Sequence, residues 1–310
     1  MTSAHSDLPP VTVRVPGKLN LELLVGPLRA DGFHALSTVY QAVSVHDDVT
    51  VAPADEWGVS VYGDHAEGVP LDEDNLALRA ARLVAGLAGD PGPVHISIRK
   101  GIPVAGGMAG GSADAAATLV ACDHLWDLGM SREGLERVGA ELGSDVPFLI
   151  SGGTAMGSGR GELLAPVLAR GSYHWVFALG PGGLSTPSVY AECDRLRGSS
   201  PVPDPVPNAE LMSALRSGDP HILAPHLVND LQDAAVSLMP RLGDVLEAGM
   251  EYGALAGLVS GSGPTVAFLV EEVEAGIDLA VALTASGVVT DVRRATGPVH
   301  GAHLIPAPVD

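Results

Sequence analysis

Lysine is almost missing from this 310-residue sequence: Lys18 and Lys100 stand among seventeen basic residues, and the other fifteen are arginines. A chain this poor in lysine keeps few by accident, so both positions become candidates for function. Bases of any kind are scarce. Thirty-seven acidic residues leave a formal charge of −20, a field that repels polyanions and argues against nucleic acid or an anionic membrane as partner. The two cysteines, Cys122 and Cys193, cannot build a disulfide framework, and no Cys/His spacing has the form of a zinc site. A reducing compartment is expected. The longest tempting apolar stretch, Ala254 to Val270, is broken by Ser260-Gly-Ser-Gly-Pro264 and cannot span a bilayer. The N-terminal MTSAHSDLPP lacks the basic region and apolar run of a signal peptide and reads as a short disordered lead. These absences predict a soluble, cytoplasmic protein.

Apolar residues make up 46% of the chain, ample for a core and, at this length, for two domains. Alternating apolar and polar residues predict strands over Val11 to Val15, Leu19 to Val25, Val49 to Val51, Val59 to Tyr62 and Val94 to Ile98. Helical spacing predicts a helix from Asn75 to Gly89, a second from Ala113 carrying Ala115, Leu119, Cys122 and Trp126 on one face, and a third from Ser131 as N-cap to Gly143. Cys122 on that face reads as core packing. The second half opens with strand Trp175 to Leu179 and a Pro-rich surface loop, Gly198 to Pro207. Helical patterns follow over Asn208 to Arg216, Pro220 to Met239 and Arg241 to Tyr252, then strand Thr265 to Val270, helix Val273 to Ser286 and strand Val288 to Arg293. Without a regular βαβ repeat, this mixture predicts an α+β fold in two domains, 1–170 and 171–310.

The 39 glycines are not evenly spread. Pro103-Val-Ala-Gly-Gly-Met-Ala-Gly-Gly-Ser112 follows a predicted strand and runs into a predicted helix. Glycines let backbone N–H groups approach an anion, and a helix N-terminus adds unpaired donors, so the segment can cradle phosphate. A flexible turn is the competing reading, since neither a Walker A nor a G-x-G-x-x-G pattern occurs. Lys18, in Pro16-Gly-Lys-Leu-Asn20, falls in phase with Asn20 and Glu22 along a strand. A solvated edge lysine is the alternative. Asp145, in Leu142-Gly-Ser-Asp-Val-Pro-Phe148, could be a catalyst or a turn former. Val259-Ser-Gly-Ser-Gly-Pro264 reads as a tight turn, and the glycine-rich stretch Gly152 to Gly161 as a hairpin with glycines at positive φ.

Three of these segments in this order, Pro16 to Asn20, Pro103 to Ser112 and Ser260 to Pro264, resemble the GHMP kinase superfamily. Ala30-Asp-Gly-Phe-His34, Thr38-Val-Tyr-Gln41, Asp74-Asn-Leu76, Leu142 to Pro147 and Gly157-Ser-Gly-Arg-Gly-Glu162 narrow the likeness to its cytidyl-substrate branch. The likeness covers most of residues 10 to 295. It implies a ribosomal-protein-S5-like N-terminal domain, a GHMP C-terminal domain and an active site between them. The implied reaction moves the γ-phosphate of ATP, with Mg2+, to the 2-hydroxyl of 4-diphosphocytidyl-2-C-methyl-D-erythritol, a small molecule of non-mevalonate isoprenoid synthesis. Other small-molecule GHMP kinases, of the mevalonate-pathway or homoserine type, would share the glycine loops. A ligand sensor that kept the fold without catalysis is a second alternative, opposed by the presence of both Lys18 and Asp145.

Carried over by position, the resemblance assigns Lys18 and Asp145 as the catalytic pair. It assigns Pro103, Val104, Ala105, Gly106, Gly107, Met108, Ala109, Gly110, Gly111, Ser112 and Ala113 to the ATP phosphates, with Ser112 also a candidate for Mg2+. Asn75 and Lys100 match positions near adenine; Asn20, Phe33 and His34 match substrate positions, with His34 hydrogen-bonding cytosine. Phe33 departs from the family's usual tyrosine: the ring is kept for stacking and the hydroxyl lost. Met108 stands for a common leucine, a roughly volume-conserving change, and Ala113 for a common serine. A tertiary alcohol is too weak an acid to ionise before attack, and an aspartate, with a reference pKa of about 3.9, is a weak base. In a loose phosphoryl-transfer transition state the proton can leave late, so an aspartate can still orient the hydroxyl and accept it.

Overall fold

The computed structural model describes residues 8–104, 106–180 and 182–306. Chain order begins β1 (Val11–Leu28), β2 (His34–Pro53), β3 (Gly58–Tyr62), α1 (Leu76–Leu87), β4 (Val94–Arg99), α2 (Gly110–Leu125), α3 (Arg132–Leu142), α4 (Val146–Ser151), β5 (Thr154–Gly159) and β6 (Leu163–Pro166). It continues with β7 (Tyr173–Leu179), α5 (Thr186–Arg197), α6 (Ala209–Ser217), α7 (Pro220–Leu223), β8 (Val228–Asn229), α8 (Gln232–Leu238), α9 (Arg241–Glu251), β9 (Ala256–Val259), β10 (Val266–Val270), α10 (Val273–Ser286), β11 (Asp291–Gly297) and β12 (His303–Ile305). The α+β expectation holds: eight strands form one sheet, with main path β12-β1-β2-β4-β3, and four form a second, β11-β7-β10-β9.

The two strands expected from Val11 to Val25 are one. Pro16 offers no N–H to the ladder, and the sheet absorbs it as a register shift at Pro16/Gly17 rather than a chain break. Beyond that shift Leu19 and Leu21 are fully buried in the core, while Lys18 and Asn20 share the opposite face. Strand β2 extends far beyond the expected Val49 to Val51, because Ser37, Thr38 and Gln41 are buried against neighbouring strands rather than looped out. The hairpin β5/β6 docks on β2.

Helix α2 starts at Gly110, three residues before the expected Ala113, since its glycine pair is a poor helix former and reads as loop. Ser131 caps α3 as expected, its hydroxyl accepting from Gly134 N–H. The helix expected over Pro220 to Met239 is instead α7, a 3₁₀ turn at Ala224–His226, the short strand β8 and α8. Pro225 lacks the N–H a continuous helix needs there. The last strand of the second sheet lies at β11, later than Val288 to Arg293. Helix α5 has no counterpart in the sequence reading, because only Val189 and Cys193 along it are buried and its apolar stripe is thin. Two strands of the second half, β8 and β12, pair with β1 and so join the first sheet.

Candidate active site

A cavity of about 760 Å³ gathers the chemistry-bearing segments. On β1, Lys18 Nζ donates to Asn20 Oδ1 at 2.6 Å, Asn20 Nδ2 donates to Thr38 Oγ1 at 2.7 Å, and that hydroxyl donates to the Glu22 carbonyl at 2.6 Å. This relay fixes which way the Asn20 amide points and holds the ammonium in place. Lys18 is 5% exposed. Burial lowers its pKa, and the charge of Asp145 pulls it back up.

Asp145 occupies the N-cap position of α4, yet its side chain makes no capping bond and lines the cavity instead. The turn-former reading therefore accounts for its backbone but not for its carboxylate. Tyr40, on β2, is the residue that the motif Thr38 to Gln41 carried without a role. Its ring stacks on Phe148 of α4, centroids 4.9 Å apart, and its hydroxyl lies near enough to Asp145 to feel that charge. Burial first, then the neighbouring Asp145 carboxylate, hold the phenol well above its ordinary pKa. Gly161, at φ +104°, lies against the Tyr40 hydroxyl where a Cβ would collide. That explains part of the motif Gly157 to Glu162.

The glycine loop meets the third motif backbone to backbone. Gly107 has φ +71°, and a Cβ there would run into the Ser260 carbonyl; Ser260 Oγ donates to Gly107 O at 3.1 Å. Lys18 N–H donates to the Met108 carbonyl at 3.2 Å, tying the loop to β1. Asn229 Nδ2 bonds the carbonyls of Val259 and Gly261, each at 2.7 Å, which braces the other side. Ala109, in a left-handed conformation at φ 60°, turns the chain into α2 without any side-chain cap. Gly110, Gly111 and Ser112 thus present an uncapped helix N-terminus to the cavity, a cradle fitted to an anion.

The sequence candidates divide accordingly. Lys18, Asn20, Phe33, His34, Gly106, Gly107, Ala109, Gly110, Gly111, Ser112 and Asp145 line one cavity. Pro103, Met108 and Ala113 are buried and Val104 exposed, and none of these four lines it; Ala105 lies outside the described residues. Asn75 caps α1, accepting from Ala77 and Leu78 N–H and donating to Pro70 O. Lys100 donates to Asp47 at 2.5 Å and Asp114 at 2.8 Å, all three buried. Both side chains are committed to the fold, so the structure brings neither to the cavity. Asp47 also accepts from Gly101 and Ile102 N–H, so this cluster anchors the entry to the glycine loop. Cys122 is fully buried, and burial pushes its thiol pKa up, as fits core packing.

At the far end Phe33 is 51% exposed, with the Arg160 guanidinium 4.9 Å above its ring. His34 stacks on Tyr190 of α5 and reaches Asp194 on the same helix. Sequence reasoning missed Tyr40, Arg160, Tyr190 and Asp194. The first two sit inside motifs it quoted; the last two ride on the helix it did not detect.

A glycine loop and an uncapped helix N-terminus thus share one cavity with a lysine and a carboxylate. Residues 75–153 match the model of GHMP kinases, N terminal domain, and residues 211–288 that of GHMP kinases, C terminal. The chain is a small-molecule GHMP kinase that uses ATP. Within that class it belongs to the 4-diphosphocytidyl-2-C-methyl-D-erythritol kinase family. It is 56% identical to the protein of that name from Mycolicibacterium smegmatis over 305 residues, 96% of this chain and 93% of that one. It is 54% identical to the one from Thermobifida fusca, over 95% and 98% of the two chains. A solved 4-(cytidine 5'-diphospho)-2C-methyl-D-erythritol kinase superposes with TM-score 0.75 at 32% identity, covering 93% of this chain and 99% of that one. Homoserine kinase from Cytophaga hutchinsonii, at 18% identity and TM-score 0.73 over 98% and 99%, shares the fold.

Proposed function

We infer that this chain transfers the γ-phosphate of ATP to the 2-hydroxyl of 4-diphosphocytidyl-2-C-methyl-D-erythritol, giving the 2-phosphate and ADP, in non-mevalonate isoprenoid precursor synthesis. One observation carries the site assignment. A single cavity joins the uncapped start of α2 to buried Lys18 and half-buried Asp145, and runs on to Phe33, His34 and Tyr190. The phosphates of ATP fit the first part and a pyrimidine nucleotide the last, which puts the lysine and carboxylate between donor and acceptor.

In this reading Asp145 orients the acceptor hydroxyl and takes its proton late, as the new P–O bond completes. Tyr40 keeps the carboxylate aimed into the cavity. The Lys18 ammonium, aligned by Asn20, stabilises charge developing on the transferring group in a site shielded from water. Phe33 offers an apolar face to cytosine and His34 a hydrogen bond. Lys100 and Asn75 serve as frame beneath and beside the loop.

Mg2+ belongs to the same proposal. Among the described residues no three His, Cys, Asp or Glu side chains converge on a metal position. The ion would be held mainly by phosphate oxygens and water, with Ser112 Oγ the candidate protein donor, and would supply charge neutralisation on the phosphates. We also place the domain division at 170/171, and the protein in the cytoplasm; among the described residues no helix is long and apolar enough to cross a membrane. A coupled ADP-release assay over the cytidyl substrate, homoserine and mevalonate tests the function. Turnover on the first alone is expected, and preference for either other acceptor would overturn the reading.

A further inference from the structure

His34 has one ring nitrogen already engaged. Its Nε2 lies 3.0 Å from Asp194 Oδ1, and its ring stacks on Tyr190 with centroids 5.2 Å apart and planes at 28°. Tyr190 and Asp194 are four residues apart, so α5 presents both from one face, and both line the cavity with His34. The neighbouring arginines of α5 are committed elsewhere: Arg195 pairs with Glu192 and Arg197 with Asp230. Asp194 is left to His34. A carboxylate oxygen only accepts, so the hydrogen in their bond sits on Nε2, and in the neutral ring Nδ1 is then an acceptor. No hydrogen bond to Nδ1 is formed among the described residues.

We propose that Asp194 determines base specificity: by holding the His34 proton on Nε2 it leaves Nδ1 as an acceptor, which selects cytosine over uracil in the substrate. The proposal rests on the reading above that the base lies at Phe33 and His34. Cytosine presents an amino donor at the position where uracil presents a carbonyl oxygen. The amino group satisfies Nδ1. The carbonyl sets two lone pairs against each other and leaves two partly buried acceptors without donors, so uracil is refused by an element of repulsion. Without Asp194 the imidazole can move its hydrogen to Nδ1 and donate to the uracil oxygen. The carboxylate thus acts through the histidine and is a positioning residue, with Tyr190 keeping the ring plane.

The test compares the full-length parent with Asp194→Ala, using steady-state kinetics on the cytidyl substrate and its uridyl counterpart. The parent is expected to favour cytidyl by about 10- to 100-fold in kcat/KM, the discrimination of one well-placed base contact. The variant is expected to lose most of that ratio through KM for the nucleotide-linked substrate, with KM for ATP unchanged. Spectra of 15N-labelled histidine give a second readout: hydrogen on His34 Nε2 in the parent and a tautomer mixture in the variant. An unchanged cytidyl/uridyl ratio, or hydrogen on Nδ1 in the parent, would overturn the proposal. Calorimetry with free CDP and UDP keeps this separate from the proposed reaction. Tight CDP binding without turnover would sink the reaction and leave Asp194 its role, provided that Asp194→Ala narrows the CDP/UDP affinity ratio; an unnarrowed ratio sinks the inference itself.

Discussion

Lys18 and Lys100 answer the scarcity of lysine in two different ways. Lys18 lies in the cavity beside Asn20, its ammonium facing the space in which phosphate would move. Burial lowers its pKa, so the protonated form that the proposed role needs is lost as pH rises through a value below the ordinary lysine figure of about 10.4. The alkaline limb of kcat is expected there, and Lys18→Met should lower kcat more than it raises KM for ATP. A change confined to KM would make Lys18 a binding residue. Tyr40→Phe removes the hydroxyl beside Asp145, and any hydrogen bond it gives the carboxylate during turnover, while keeping the ring on Phe148. Because its pKa is raised, the phenol keeps its proton through the working range. A roughly tenfold fall in kcat with both KM values unchanged is expected, in line with a hydrogen bond to a charged group; unaltered kcat would reduce Tyr40 to packing. Of these residues, composition pointed to Lys18 and motif order to Asp145. Tyr40 was hidden because a tyrosine inside a strand reads as core, and only the fold shows that its hydroxyl ends at a carboxylate.

At the scale of elements, β2, β4 and α2 meet at the Asp47, Lys100 and Asp114 cluster beneath the glycine loop. Removing the cation strands two buried carboxylates, so Lys100→Met is expected to cost about 3–5 kcal/mol of stability, measured by urea unfolding. Burial, with Asp47's charge adding to it, raises the Asp114 carboxyl well above its usual range against the pull of Lys100. A group with a raised folded pKa favours folding at low pH, and that contribution fades as pH rises through the folded value. Asp114→Asn removes the dependence, so its Tm relative to the parent should improve between pH 5 and pH 8. A constant difference would contradict this. Helices with a wide apolar stripe, such as α1 and α3, were legible in sequence because 3.6-residue periodicity is a local signal. The start of α2 was not: a glycine pair is helical there only because the loop delivers it in a left-handed turn at Ala109. Helix α5 was not legible either, since it buries so little, and with it went Tyr190 and Asp194.

For the molecule as a whole the difficulty is a charge of −20 on a chain that takes two polyphosphate-bearing substrates. In the proposed reading the phosphates would meet a helix N-terminus, backbone N–H groups and one buried ammonium, all local, while the distant surface repels. Added salt screens that repulsion over about 8–10 Å. kcat/KM for the cytidyl substrate should therefore hold or rise between low salt and 0.15 M, and a steep fall would mean that surface cations steer the substrate. Fold class and motif order were legible because they depend on patterns along the chain. The closing of the first sheet by β8 and β12 was not, since it depends on pairing across more than 200 residues. Asp145 is the residue on which turnover is expected to depend most. In a coupled ADP-release assay with the cytidyl substrate, Asp145→Asn is predicted to lower kcat by about 10²-fold or more. Near-parental turnover in a folded Asp145→Asn chain would contradict the account.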